Sequence, residues 1–283
     1  MENLREIKDR IKTIGNLVKA TNAIKMVSTI KLSKLNSLKK SSKKCSDVLL
    51  KLLKKVIIEL KYKQLLESKH WLNRTAGETL IVVLSSDQGF CGSFNQMIAE
   101  KAKEMIKVSK GAFVEIYGKK AAILMRNSKS GSTNVNKVEK NYEHTYLVHA
   151  LADTIIQYLV KRDVCEVYII SGEFKNVLVQ KAKCTKLFPI NIDATDTSEY
   201  TLIDGDKKDI VVDLLMKYLL TVFGSILTEH RVAEYSARVL ATDGSVRNAK
   251  TLLEELKIVY NRTRQMKITQ ELTEIISSID CIQ

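Results

Sequence analysis

The sequence predicts an α/β protein in which two long terminal helices form an antiparallel coiled coil and a small α/β domain lies between them. Three observations carry that prediction. Apolar residues recur at steps of three and four from Asn3 to about Leu60 and again from near Lys207 to about Ile279. The stretch between them changes to β-branched runs alternating with short helical patterns. A single proline, Pro189, and 11 glycines in 283 residues leave few places where a helix has to stop.

In the first helix the stripe is Leu4, Ile7, Ile11, Ile14, Val18, Ile24, Val27 and Ile30, then Leu35, Leu38, Cys45, Leu49, Leu52 and Val56. Asn3 followed three residues later by Glu6 has the form of a capping box. A helix of that extent is roughly 85 Å long. In the second, Asp206 and Asp209 stand where N-terminal caps are expected, and the length is on the order of 100 Å. Gly224 and Gly244 fall inside it, each costing about 1 kcal/mol relative to alanine. Helices this long expose too much apolar stripe to stand alone. One helix leaves the middle domain and the other returns to it, so antiparallel pairing of the two is the economical solution.

"TLIVVLSS" from Thr79 reads as a strand buried on both faces and is followed by a helix from Ser93 to Lys107. "AFVEIYG" from Ala112 supplies a second strand with a short helix after it, and a further helix from about Leu147 to Lys161 leads into "CEVYIISGEF". "VLVQKAKCTKLFP" offers one more strand. The alternation predicts a mostly parallel, Rossmann-like sheet. The expected division is 1–70 for the N-terminal coiled-coil helix, 71–205 for the central α/β domain and 206–283 for the C-terminal helix.

Charge points to the partner. The chain has 46 Lys and Arg against 32 Asp and Glu, a formal charge of +14. That excess suits an acidic surface: nucleic acid, an anionic membrane or a carboxylate-rich protein. It concentrates before Lys55, where only Glu2, Glu6, Asp9 and Asp47 oppose it. Acids on the C-terminal helix, among them Asp209, Asp213, Glu229, Glu234, Glu254 and Glu255, offset part of it. Five scattered cysteines (Cys45, Cys91, Cys165, Cys184, Cys281) form no close pair and fit a reducing compartment. "MENLREIKDR" is charged and helical from the start, so neither a signal nor a transit peptide is expected. The most apolar stretch, Leu214 to Leu227, is interrupted by Lys217 and is too short to span a bilayer.

"SSDQGFCGSFN", beginning at Ser85, is the most enzyme-like segment, a glycine-containing turn between a buried strand and a helix N-terminus. It holds only G-x-x-G, and Tyr117 and Gly118 end the second strand where an acid would meet a ribose. A structural turn is therefore expected. Cys91 has no histidine arranged to activate it and is expected to be a buried thiol. His144 and His149, five apart, diverge on a helix. No catalytic, metal or cofactor site is predicted.

Taken together, "IKTIGNLVKATNAIKMVSTIKL", "SSDQGFCGSFN" and "YNRTRQMKITQELTEIIS" resemble the gamma subunit of F-type ATP synthase, and the likeness runs from end to end of the chain. The resemblance implies a non-catalytic rotor shaft in the cavity of a ring of alternating alpha and beta subunits. It also implies contact with the epsilon subunit (delta in mitochondrial naming) and with the membrane-embedded c-ring, and a peripheral place on the cytoplasmic face of the bacterial inner membrane or, alternatively, on the matrix side of the mitochondrial one. Carried over by position, Ile24, Lys25 and Met26 with Arg238 correspond to contacts with the moving beta lever. Arg264, Gln265 and Thr269 correspond to the polar set above it, and Ile275, Ile276 and Ile279 to an apolar bearing. The competing expectation is a nucleic-acid-binding coiled-coil arm using Lys31, Lys34, Lys39, Lys40, Lys43 and Lys44 against phosphates.

Overall fold

The structure, a computed structural model, describes residues 4–59, 77–109, 111–126, 133–136, 144–162, 164–189 and 207–280. Helix α1 (Leu4–Glu59) is followed by strand β1 (Glu78–Leu84), α2 (Phe94–Val108), β2 (Ala112–Tyr117), α3 (Lys119–Met125) and β3 (Thr133–Asn136). The chain continues through α4 (His144–Lys161), β4 (Val164–Phe174), β5 (Gln180–Phe188) and α5 (Lys207–Asp280). With 56 and 74 residues, α1 and α5 are the long helices that the periodicity predicts. The caps proposed at Asn3 and Asp206, and the side chain of Asp209, lie outside the described residues.

The backbone divides into two compact units, one of residues 29–238 and one of residues 1–28 with 239–283. In the first, five strands form one sheet in the order β3-β2-β1-β4-β5. All neighbours are parallel except β4 and β5, which are antiparallel. Alternation along β1 explains why a continuous apolar run was needed there. Leu80, Val82 and Leu84 enter one core with Leu151, Ile155 and Leu159 of α4 and Phe223 of α5. Ile81 and Val83 enter a second core with Phe94, Ile98 and Ala102 of α2 and Ala233 of α5. Both faces of the central strand are thus consumed within this unit.

Close packing of α2, and of α5 beside it, on the sheet depends on Gly172 of β4, where a Cβ would come within 2.5 Å of the Phe94 ring of α2 and 3.2 Å of Ala233 of α5. Gly118, ahead of α3, has φ +104°, and a Cβ there would lie 2.3 Å from the Ser85 carbonyl oxygen. β3 was not expected from the sequence. "TNVN" offers one apolar residue and sits at the sheet edge, so its pairing with β2 supplies what its own pattern does not. β5 starts at Gln180, later than the apolar run from Val177 suggests. The side chain of Asn176 accepts hydrogen bonds from Leu178 N–H (3.0 Å) and Val179 N–H (2.7 Å), turning those residues into the hairpin tip.

In the two-helix unit, the backbone of Gly15 faces Leu253, and Lys25 Nζ donates to Asp243 Oδ1 at 2.5 Å. The residue numbers of each pair add to 268, so the helices run antiparallel. Within the sheet-bearing unit, Lys39 pairs with Glu229 at 3.0 Å and the Lys31 ammonium lies 5.5 Å from the Tyr235 ring centre, in the same antiparallel sense. The buried seam of the two-helix unit is thin: Ile7, Thr21, Ser28, Thr242 and Val246 are its buried residues among those described. By the same register Leu4 falls opposite Arg264, and α5 runs on for a further 16 residues, about 24 Å, to Asp280.

Candidate partner-contact faces

The residues carried over by resemblance fall into three environments. Ile24 and Lys25 are half-buried on α1, while Met26 is 67% exposed. Lys25 is held by Asp243, which also pairs with Arg247 at 3.2 Å. The hydrogen bond from Lys25 keeps the Asp243 carboxyl below the usual carboxylate range. Arg264, Gln265 and Thr269 are all exposed on α5, with Thr269 Oγ1 donating to the Gln265 carbonyl at 2.9 Å. Ile275 and Ile276 are 55% and 59% exposed, and the side chain of Ile279 lies outside the described residues.

Arg238 occupies the third environment and differs from the rest. Only 2% of it is exposed, because its guanidinium turns into its own chain. Nε donates to the Gly89 carbonyl at 3.1 Å, Nη2 donates to the Gln88 carbonyl at 3.3 Å and pairs with Glu234 at 2.6 Å, and the group lies 5.2 Å from the Tyr235 ring centre. In the free chain the Arg238 cation is thus engaged by the turn after β1 and by Glu234.

That turn was the segment with the strongest enzymatic look, and its geometry gives the opposite polarity to a phosphate cradle. A phosphate loop aims N–H groups at its ligand, whereas here two carbonyls aim at a guanidinium. The remaining polar atoms are used internally. Ser86 N–H donates to Asn95 Oδ1 (3.1 Å), Ser86 Oγ donates to the Gln88 carbonyl (2.7 Å), and Asn95 Nδ2 donates to Cys91 Sγ (3.0 Å). Cys91 is 3% exposed, a thiol buried among these groups. Phe90 at the crest has φ +61° and is 63% exposed.

One inward-facing group gave no signal in the sequence. His230 of α5 accepts the Gly172 N–H on Nδ1 at 3.0 Å, and its ring lies 5.5 Å from that of Phe94. Complete burial, aided by Arg231, holds its pKa down to about 3, so the ring is neutral. A lone histidine in an amphipathic helix carries no pattern that distinguishes an inward from an outward position.

Among the described residues no group of three or more His, Cys, Asp or Glu is placed to hold a metal, and no helix is long and apolar enough to cross a membrane. Sheet topology and helix length together define a class: one chain that combines a mainly parallel five-stranded sheet with two very long terminal helices. A family model described as ATP synthase matches residues 3–282. The ATP synthase gamma chain of Geobacter sp. (strain M21) is 31% identical over 291 aligned positions, and that of Maricaulis maris (strain MCS10) is 32% identical over 300, each covering 100% of both chains. The chain therefore belongs to the ATP synthase gamma chain family. The same fold is found in the central stalk of the Tetrahymena thermophila mitochondrial ATP synthase, with 20% identity, a TM-score of 0.57 and coverage of 80% of this chain and 99% of that one. It recurs in the Euglena gracilis mitochondrial ATP synthase at 18% identity and TM-score 0.53, covering 92% and 95%.

Proposed function

We propose that this chain is the non-catalytic central shaft of a rotary ATP synthase, turned by a c-ring and turning inside a ring of alpha and beta subunits. The observation that carries the reading is the end of α5. It outruns α1 while keeping Met266, Leu272, Ile275 and Ile276 between 52% and 59% exposed beside Arg264 and Gln265. An apolar stripe that no other described residue covers calls for another polypeptide to cover it. The apolar end then serves as a bearing, and Arg264, Gln265 and Thr269 meet the polar upper part of the beta lever. Ile24, Lys25 and Met26 meet the lever lower down. Arg238 contributes from inside, by fixing the turn that displays Phe90.

The shaft makes and breaks no bond. Rotation presents different faces to each beta subunit, and the difference in contact energy shifts that subunit among conformations of unequal nucleotide affinity. A difference of about 1.4 kcal/mol changes affinity tenfold. Because coupling of binding equilibria is reciprocal, ion flow drives synthesis and hydrolysis drives reverse rotation. Residues 1–70 and 206–283 act as the shaft, and 71–205 as the domain that meets the epsilon (or delta) subunit and the c-ring. The chain is held peripherally, on the cytoplasmic face of a bacterial inner membrane or the matrix side of a mitochondrial one. In the nucleic-acid alternative Lys31 and Lys39 would have to be free, whereas they lie on Tyr235 and on Glu229 and Phe174.

The test is affinity purification of the tagged full chain from native membranes, followed by synthesis and hydrolysis assays on the Arg264→Ala, Gln265→Ala double variant. Alpha and beta are expected to accompany the wild type, and the double variant to lose coupling or assembly while the chain stays folded. Wild-type torque, synthesis and complex yield in that variant would remove those two residues from the contact. Recovery of the wild type without alpha and beta would end the shaft reading itself.

A further inference from the structure

Tyr235 of α5 stands where α1, α5 and the turn after β1 come together. The Lys31 ammonium of α1 lies 5.5 Å from the centre of its ring, and the guanidinium carbon of Arg238 lies 5.2 Å from that centre. Arg238 in turn donates to the Gln88 and Gly89 carbonyls of the turn. One half-buried ring is therefore shared by two cations, and a continuous run of contacts leads from α1 to the turn.

An aromatic ring suits this place better than an acid. Arginine presents its N–H donors in the plane of the guanidinium, and here Nε and Nη2 are committed to two carbonyls and, at 2.6 Å, to Glu234. A carboxylate at 235 would compete for those donors. The negative face of a ring attracts the cation without taking an N–H from it, and phenylalanine has the same face. The hydroxyl is dispensable to such a contact.

α1 is fixed to the same unit at a second point. Lys39, about two turns or 12 Å further along α1, pairs with Glu229 at 3.0 Å and lies 5.2 Å from the Phe174 ring centre. With that point held, Lys31 is delivered to Tyr235. At the other end of the run of contacts, Phe90 holds φ +61° and 63% exposure on the turn that Arg238 grips.

We propose that Tyr235 is a positioning residue: through Arg238 it ties the Gln88–Phe90 turn to α1, so that Phe90 is held at a fixed place on the shaft. The consequence rests on the shaft reading: coupling falls when the turn is loosened.

The test uses the full chain and its Tyr235→Phe, Tyr235→Leu and Lys31→Met variants. Hydrogen exchange of Ser86 and Phe94, whose amides bond within the turn to Asn95 and Cys91, is read against that of Val82 in β1. Relative to Val82, Tyr235→Leu should speed exchange in the turn roughly thirtyfold, the size of a desolvated cation–π contact, and Lys31→Met about threefold, the size of an exposed one. Tyr235→Phe should match wild type. A general loss of stability would instead quicken all three amides alike. In native membranes the potential built per ATP hydrolysed, read with a potential-sensitive dye, should fall in Tyr235→Leu and be restored in Tyr235→Phe. Turn exchange unchanged in Tyr235→Leu or in Lys31→Met overturns the tie, and so does a Tyr235→Phe variant as loose as Tyr235→Leu. A loosened turn with unchanged coupling overturns the consequence for rotation. Should Tyr235→Leu fail to fold, Lys31→Met decides alone. If wild type does not assemble with alpha and beta, the shaft reading fails, and the exchange measurements still judge Tyr235.

Discussion

In the sheet-bearing unit Leu80, Ile81, Val82 and Val83 are all 0% exposed, whereas in the two-helix unit Leu17, Ile258, Leu272 and Ile276 are 55–69% exposed. The residue types are alike and the environments are not. A strand in the middle of a doubly wound sheet has both faces covered by helices of its own unit, so a β-branched run finds a complete home there. Two antiparallel helices can each cover only one stripe of the other, and an apolar residue off that stripe has nowhere to go within the unit. The difference teaches where each apolar residue finds cover: the sheet buries its own run, and the two helices leave much of theirs exposed.

The contrast breaks most sharply at Phe223, 1% exposed in the core beneath α4. Phe223→Ala should destabilise the sheet-bearing unit by about 3–5 kcal/mol, read from hydrogen exchange of the β1 amides or from urea unfolding. Next comes Gly118→Ala, which adds a Cβ against the Ser85 carbonyl in a left-handed backbone position and should cost about 2 kcal/mol or more by the same measurements.

Acid should act on the same unit through His230. Its folded pKa of about 3 lies below the ordinary value of 6.5, so its contribution is fully present above pH 6.5 and is lost as the pH falls toward 3. By pH 5 roughly 2 kcal/mol should be gone, and His230→Gln should flatten that slope in a series of urea titrations. A slope unchanged by the substitution would place the acid sensitivity elsewhere. The smallest effect on stability belongs to the other unit. Ile276→Ser should change unfolding of the isolated chain by no more than about 0.5 kcal/mol, yet it should impair assembly with alpha and beta measurably. A large stability loss there would mean that the α5 end is packed within the chain, and the comparison would collapse.

Both long helices and four of the five strands were legible in the sequence because each is announced by a local period, 3.6 or 2, over enough residues to be counted. β3 was not, since "TNVN" owes its conformation to β2. The start of β5 was misplaced because Asn176 acts on residues two and three ahead of it, a side-chain effect that apolar counting ignores. Met26, Arg264, Gln265 and Thr269, named through motif likeness, are all exposed on their helices. The inward packing of Arg238 and His230 was not legible. Their partners, Gly89 and Gly172, lie 149 and 58 positions away, and nothing local to an amphipathic helix tells which polar residue will be docked against a sheet.

Gly244 sits inside α5 with nothing within 4 Å of where its Cβ would be. Packing therefore does not require a glycine at that point, and the helix there has one of its least restrained residues, by about 1 kcal/mol relative to alanine. A methyl group at that point would meet no neighbour and would narrow the freedom of the unfolded chain, so the helix should tolerate alanine there and gain roughly that much stability.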